Sequence, residues 1–346
     1  MQKMIIDAHA HYVPQALLDD VTSQRRLFPS VKVAVENGGV RFAFAGQEAK
    51  RPVPAGMSDV ERRRIWLSDR GIDKQAVGGW LDMFGYDLPS DEALEWSRFL
   101  NEHMLKAVSG IRFFIPLATV PMQSGKLAAR VLEEALDQGF HGAMIGTQPK
   151  GAAGVLDDPD LEPFWEMASA RKATLFVHPT FGARDDRLKA YGLVSAVGRV
   201  TDTTIAIARL LFSGHLLRHP GVNLVISHGG AALPMVLGRL RRSFATSPAQ
   251  NADPAEGFRR LYFDSIVYDA LTVRFICDIA GVGHVLMGTD APFAIAEQDP
   301  VKLIDSCNFA PADRQAILGG TAARLFGTGD GAAPAAPVVK ESSCPS

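Results

Sequence analysis

The chain has 346 residues, 47% of them hydrophobic and 21% charged, with a formal net charge of −2. That balance suits one large α/β unit with a substantial core, and no block of like charges marks a nucleic-acid groove or an anionic membrane surface. No apolar run approaches the roughly 18 residues of a membrane span, and the N-terminus lacks a signal-peptide pattern, so no membrane or nucleic-acid partner is expected. The cysteines, Cys277, Cys307 and Cys344, are odd in number and widely spaced. Neither a disulfide framework nor a thiolate metal site is indicated, and a cytoplasmic setting is expected.

A first strand is predicted over 4–10, running directly into His9-Ala10-His11. The segment of about 14–60 is longer than one strand-to-helix connection needs. Within it, Val31–Val35 and Val40–Phe44 flank a Gly-rich turn, predicting a β-hairpin in an insertion over the mouth of the fold. Strand 74–81 precedes helix 91–108, with Ser90 as a candidate N-cap. Strand 112–119 precedes helix 124–138, which Gly139 stops. Strand 140–146 and helix 160–171 follow. Strand 173–178 then ends in His178-Pro179 and is followed by helix 199–218. Strand 222–228 ends in His228-Gly229-Gly230 before helix 231–245. Strand 261–267 precedes helix 270–281, and strand 284–289 runs into Asp290-Ala291-Pro292 before helix 311–326. The tail, 328–346, lacks apolar periodicity and is expected to be disordered.

Eight short strands alternating with helices predict a (β/α)8, TIM-like barrel spanning residues 1–327. Such barrels place their chemistry at the C-terminal ends of the strands. His9, His11, His178, His228 and Asp290 all fall at such ends. Residues i and i+2 of a strand share a face, so His9 and His11 present both imidazoles to one point. Three histidines and one carboxylate, His9, His11, His178 and Asp290, form a mixed nitrogen/oxygen set with room for water, the catalytic form of a zinc site. His228 has two candidate roles, a further ligand or a general base off the metal. The glycines after it suit close approach of the backbone to a ligand.

His103, His215 and His219 fall on helices or at their ends, and His141 and His284 at strand beginnings, so structural roles are expected for all five. Asp7 shares the face of His9 and His11 and is a candidate partner to a ligand. Asp264, read as lying within strand 261–267, could equally be a structural carboxylate, and neither aspartate has an assigned role.

His9-Ala10-His11, Met83-Phe84-Gly85-Tyr86, His178-Pro179, His228-Gly229-Gly230 and Asp290-Ala291-Pro292-Phe293 together resemble the amidohydrolase superfamily. Within it, they resemble the aminocarboxymuconate-semialdehyde decarboxylase family. The H-x-H alone is weakly diagnostic, whereas the ordered set, extending from residue 4 to about 327, is specific. The resemblance implies a barrel with one divalent metal, zinc first and Mn2+ second, that removes CO2 without oxidation from a conjugated or aromatic carboxylate. By that resemblance His9, His11, His178 and Asp290 match the metal ligands, and His228 the base that activates water at the metal. Arg51 matches an arginine that binds the substrate carboxylate. Arg239 matches a second one, donated by the neighbouring subunit of a homodimer.

Three positions depart from the family pattern. Thr180 stands where a pocket tryptophan commonly follows His-Pro, no tryptophan lies around Ser195, and Ala291 follows Asp290 where an aromatic residue is common. The metal residues are retained while the pocket is altered. Loss of CO2 from an sp² carbon leaves a poor carbanion unless the carbon is protonated first or an electron sink is offered. The same metal and histidine can instead attack a carbonyl. The first reading is therefore a carboxy-lyase of an aromatic or muconate-type acid, serving aromatic-compound catabolism. The alternative is a hydrolase of an amide, ester or C–C bond in a ring-derived acid. A metal-stabilised binding protein leaves His228 without a purpose.

Overall fold

The computed structural model describes residues 4–328 except 24, 26–27, 37, 50, 152–153, 181, 184 and 249–250. The strands are β1 Ile6–His11, β2 Val31–Glu36, β3 Gly39–Phe44, β4 Lys74–Gly78, β5 Phe114–Pro116, β6 Ala143–Gly146, β7 Thr174–His178, β8 Asn223–Ile226, β9 Leu261–Asp264 and β10 Val285–Leu286. Every residue of β1, β6 and β7 is buried. This fits strands covered on both faces, where apolar runs replace the polar–apolar alternation of a half-exposed sheet.

Eight of these strands make two parallel arcs, β1-β4-β5 and β10-β9-β8-β7-β6. Backbone hydrogen bonds join the arcs at both seams. Ala118 N donates to Gly142 O and Met144 N to Ala118 O, both at 2.9 Å. On the other side His11 N donates to Ala291 O, Asp290 N to His9 O and Ala8 N to Met287 O, each at 2.8 Å. The order β1-β4-β5-β6-β7-β8-β9-β10 therefore returns to β1, and the expected TIM-like arrangement is the one observed. Helices cover the outside. The helix Gly125–Gln138 shows why: one apolar stripe, including Ala128, Val131, Leu132 and Ala135, is buried, and Gly139 ends it at φ 102°.

Several predicted elements differ in extent from those found: strand 261–267 stops at Asp264, and helix 311–326 is interrupted by a wider turn over Ala316–Gly320. Helix 199–218 is two helices, Arg199–Phe212 and His215–Arg218, broken where Gly214 adopts φ 74°. Strand 284–289 keeps a ladder over Val285–Leu286 alone, and beyond them Met287 and Asp290 hydrogen-bond to β1 across the seam.

Between β1 and β4 the hairpin β2–β3 is antiparallel, with Val33 opposite Phe42 and Val31 opposite Phe44. It pairs with no barrel strand among the described residues. Phe42 and Phe44 anchor it instead, packing with Val13, Leu17, Trp80, Met83, Trp96 and Phe99 into a second, smaller core beside that of the barrel. Residue 328 is described but 329–346 are not, so the tail expectation and Cys344 lie outside the described residues. Among the described residues no helix is long and apolar enough to cross a membrane.

Candidate metal centre and active-site cavity

β1 carries His9 and His11 to the barrel's C-terminal mouth, β7 ends in His178, and Asp290 follows β10. All four are buried, and one ligand atom from each lies within 4.8 Å of the others. Asp290 Oδ1 stands 3.1 Å from His11 Nε2, 3.4 Å from His9 Nε2 and 3.8 Å from His178 Nε2. These oxygen and nitrogen atoms converge from three separate strand ends.

The second nitrogen of each ring is fixed from outside. His9 Nδ1 is 2.7 Å from Asp264 Oδ2, His11 Nδ1 is 3.1 Å from Gly79 O, and His178 Nδ1 is 3.0 Å from Pro179 O. All three partners are acceptors, so each Nδ1 carries the hydrogen and each Nε2 presents a lone pair to the common point. His9 Nε2 and His178 Nε2 are buried without a hydrogen-bond partner. Buried nitrogens without partners are costly unless something else engages them. One divalent cation satisfies all of them at once, and the residues fit it. Burial holds His9 below its usual pKa and His178 well below, so both stay neutral and ligand-competent. Burial alone would raise Asp290, but contacts with His11, His178 and His228 hold it well below the usual carboxylate range.

Asp264 is one of two aspartates, with Asp7, that the sequence leaves unassigned. Its carboxylate accepts from His9 Nδ1 and from three backbone amides: His228 N at 3.0 Å, Gly229 N at 2.7 Å and Ile266 N at 3.1 Å. One side chain thus orients a candidate ligand and the segment bearing His228. The available signal was its place at a strand end, which the predicted strand 261–267 concealed because β9 stops at Asp264. Asp7 reaches no histidine ring. It accepts from His9 N at 3.1 Å, Thr289 Oγ1 at 2.6 Å and Gln75 Nε2 at 2.7 Å, tying β1 to its two neighbours below the site. Burial pushes it up to about 6 against those hydrogen bonds.

His228 stands outside the four-residue cluster, with Nε2 3.5 Å from Asp290 Oδ2 and its ring centroid 5.1 Å from that of His178. Burial by itself would lower its pKa, but the contact with Asp290 and the charges of Asp290 and Asp264 prevail, and the ring ends above its usual value. The backbone there is in the left-handed region, with φ 55° at His228 and 64° at Gly229. The reading of Gly229-Gly230 as a place for close ligand approach is corrected. A Cβ on Gly229 would meet Val267 Cγ1 at 2.4 Å, and one on Gly230 would meet Phe263 Cδ1 at 2.4 Å. Both glycines serve a tight turn packed against the barrel wall.

A cavity of about 630 Å³ opens above these groups, lined in part by Arg51, His178, Arg199, His228, Tyr268 and Asp290. Arg51 has its Nε 3.0 Å from Asp82 Oδ2 and its guanidinium carbon 5.6 Å from the centre of the Trp80 ring. Arg239 is exposed on the helix Leu233–Thr246 and does not line this chain's cavity. Where family tryptophans were sought, Thr180 is buried and Ser195 and Ala196 line the wall. Arg199 was missed, because an arginine at a helix start carries no distinguishing sequence signal. The five remaining histidines take structural positions. His141 contacts Phe326 O and His284 contacts Leu261 O, His215 and His219 lie beside Glu162, and His103 lies beside Asp20.

Residues 6–328 match the protein-family profile described as Amidohydrolase. The chain is 31% identical over 285 residues to a 2-amino-3-carboxymuconate-6-semialdehyde decarboxylase of Dictyostelium discoideum, covering 80% of this chain and 79% of that one. It is 27% identical over 290 residues to a gamma-resorcylate decarboxylase of a Polaromonas species, covering 78% and 87%. Its fold superimposes on the crystal structure of a dihydroxybenzoic acid decarboxylase from Polaromonas, solved with bound manganese and the inhibitor 2-nitroresorcinol. That match has a TM-score of 0.74 at 21% identity and covers 94% of this chain and 97% of that one. The profile match over nearly the whole chain, a relative above 30% identity and the buried histidine–aspartate cluster agree: the chain belongs to the amidohydrolase family, among its metal-dependent decarboxylases.

Proposed function

We propose that residues 1–327 act as one catalytic unit that removes CO2 without oxidation from an aromatic or muconate-type carboxylic acid. The observation that carries this reading is the placement of His228, outside the metal cluster and facing the same cavity as Arg51. In this reading His9, His11, His178 and Asp290 hold one divalent ion, zinc in the first place and manganese in the second. When bound, the ion supplies a Lewis acid that polarises substrate oxygens and draws electron density from the conjugated system.

The remaining work falls to side chains. His228 Nε2 holds the proton that goes to the substrate carbon, and Asp290 Oδ2 at 3.5 Å steadies the charged imidazole. Once that carbon is protonated, the bond to the carboxylate breaks, its electrons return to the conjugated system, and CO2 leaves. The net change is one proton gained and one CO2 lost. Arg51, kept in place by Asp82 and Trp80, binds a substrate carboxylate. Arg239 does the same from the partner subunit of a homodimer. Its exposure on a helix that also presents Met235 at 75% exposure supports an interface there. The buried free thiols of Cys277 and Cys307 suit a cytoplasmic, reducing compartment.

The test offers metal-loaded protein a panel of hydroxybenzoates, aminomuconates and ring-cleavage acids, in heavy-oxygen water and separately in deuterium oxide. Decarboxylation places one deuterium on the carbon that lost CO2 and no heavy oxygen in the organic product. Heavy oxygen in that product, without CO2 release, overturns the reading in favour of hydrolysis.

A further inference from the structure

Arg199 opens the helix Arg199–Phe212 and lines the cavity with Arg51, His178, His228 and Asp290. Arg199 is half-buried, and the structure gives its guanidinium one hydrogen bond, to Pro179 O at 3.4 Å. No carboxylate oxygen among the described residues lies within ion-pair distance of it. Arg63, a buried arginine near the site, is tied down instead, with Gln75 Oε1 at 2.6 Å and His11 O at 3.0 Å. Burial of Arg199 weakens its hold on its proton, and the nearby positive charge of Arg51 adds to the effect.

A half-buried cation that lines a cavity without an ion pair favours an anionic ligand there. Here the candidate counter-ions are already engaged. Asp82 pairs with Arg51, Asp290 belongs to the metal cluster, and Asp202 accepts from Thr147 Oγ1 and from Gln148 Nε2. Arg199 therefore faces the cavity with guanidinium donors that no side-chain acceptor among the described residues takes up. A planar guanidinium with free donors is suited to grip a carboxylate through two parallel hydrogen bonds.

We propose that Arg199 binds a carboxylate that the substrate keeps, so that the preferred substrate is a diacid. This rests on the decarboxylase reading above. The carboxyl that leaves must give up its charge to become CO2. A guanidinium clamped on it would stabilise the ground state more than the transition state and slow the reaction. A half-buried cation in the cavity is useful on a group whose charge persists. Arg199 and Arg51 line the same cavity of one chain. Small neighbours at Ser195 and Ala196 leave the guanidinium open to the cavity.

Calorimetric titration of the metal-loaded protein with isophthalate and with benzoate tests this without requiring turnover. Wild-type protein is expected to bind the diacid at least about tenfold more tightly than the monoacid, the scale of one charge-assisted contact. Arg199→Gln should lose roughly tenfold or more on isophthalate and within about twofold on benzoate. Arg199→Lys, which keeps the charge without the planar fork, should lie between. It carries the test if the glutamine variant fails to fold, as judged by its melting curve and metal content. With an acid that is turned over, KM should rise more than kcat falls. Equal losses on both ligands, or a wild-type protein indifferent to the second carboxylate, overturn the proposal. If the binding preference appears while no acid releases CO2, the decarboxylase reading fails and the Arg199 site stands.

Discussion

The floor of the cavity and its wall are built on different principles. The floor, His9, His11, His178 and Asp290, comes from the ends of barrel strands, is buried, and is held from behind by Asp264 and two backbone carbonyls. The wall comes from the insertion and from segments after the strands: Arg51 with its side chain 57% exposed, Ser195, Ala196, Arg199 and Tyr268. Strand ends fixed by ladders on both sides place atoms with the precision a metal demands, whereas connecting segments vary without disturbing the core. The floor gathers the four residues expected as metal ligands, while Thr180 and Ser195 stand on the wall where tryptophans were expected.

The sharpest way to break this contrast is to remove a floor residue. Protein purified without chelator should contain close to one divalent metal per chain by elemental analysis, and His178→Ala should lose most of it along with activity. A His9→Ala, His11→Ala double variant with full metal occupancy would contradict the assignment outright. At His228 the effect should separate from the metal. His228→Ala is expected to keep metal and fold while kcat drops by about 10²–10⁴-fold, the usual contribution of a general acid or base. A variant that sheds its metal makes His228 a ligand, and near-normal turnover removes it from the chemistry. Asp264→Asn probes the layer behind the floor. Loss of the carboxylate that orients His9 should weaken metal binding by roughly 10–100-fold, read by competition with a chromogenic chelator. Unchanged affinity would show that the His9 orientation is set elsewhere.

The wall should yield the smallest effects. Arg51→Ala and Arg239→Ala are each expected to raise KM, with a loss of roughly 1.5–3 kcal/mol for a charge-assisted contact. Mixing the two impaired proteins, assayed at low substrate concentration, tests whether the wall is shared between subunits. In hybrid dimers one site inherits both lesions and the other neither, so activity should partly return. Verified subunit exchange without recovery would leave Arg239 outside the neighbouring site.

Much of the floor was legible in the chain because its signals are local. An apolar run followed by His or Asp marks a strand end, and His9-Ala10-His11 fixes two side chains on one face by period alone. Asp264 carried the same signal and was obscured by a strand predicted three residues too long. Asp7 was legible as a residue on the right face but not as one that hydrogen-bonds Thr289 and Gln75 across two strands. Arg199 carried no signal, since burial, a lone carbonyl partner and the proximity of Arg51 arise from contacts between distant segments.

By itself the sequence determined the alternation of strands and helices, the positions of the metal-competent residues along the chain and the hairpin within 14–60. Each of these depends on periodicities of two or 3.6 residues and on local turn chemistry. Tertiary structure decided which strand ends meet at one point, which ring nitrogens are left as free donors, and which cations share a cavity. Those outcomes depend on ring closure through the Ala118–Met144 and His9–Asp290 seams, which brings together residues such as Asp7 and Thr289, 282 positions apart in the chain. No local pattern encodes such a distance, because it is set by how eight strands pack around one core.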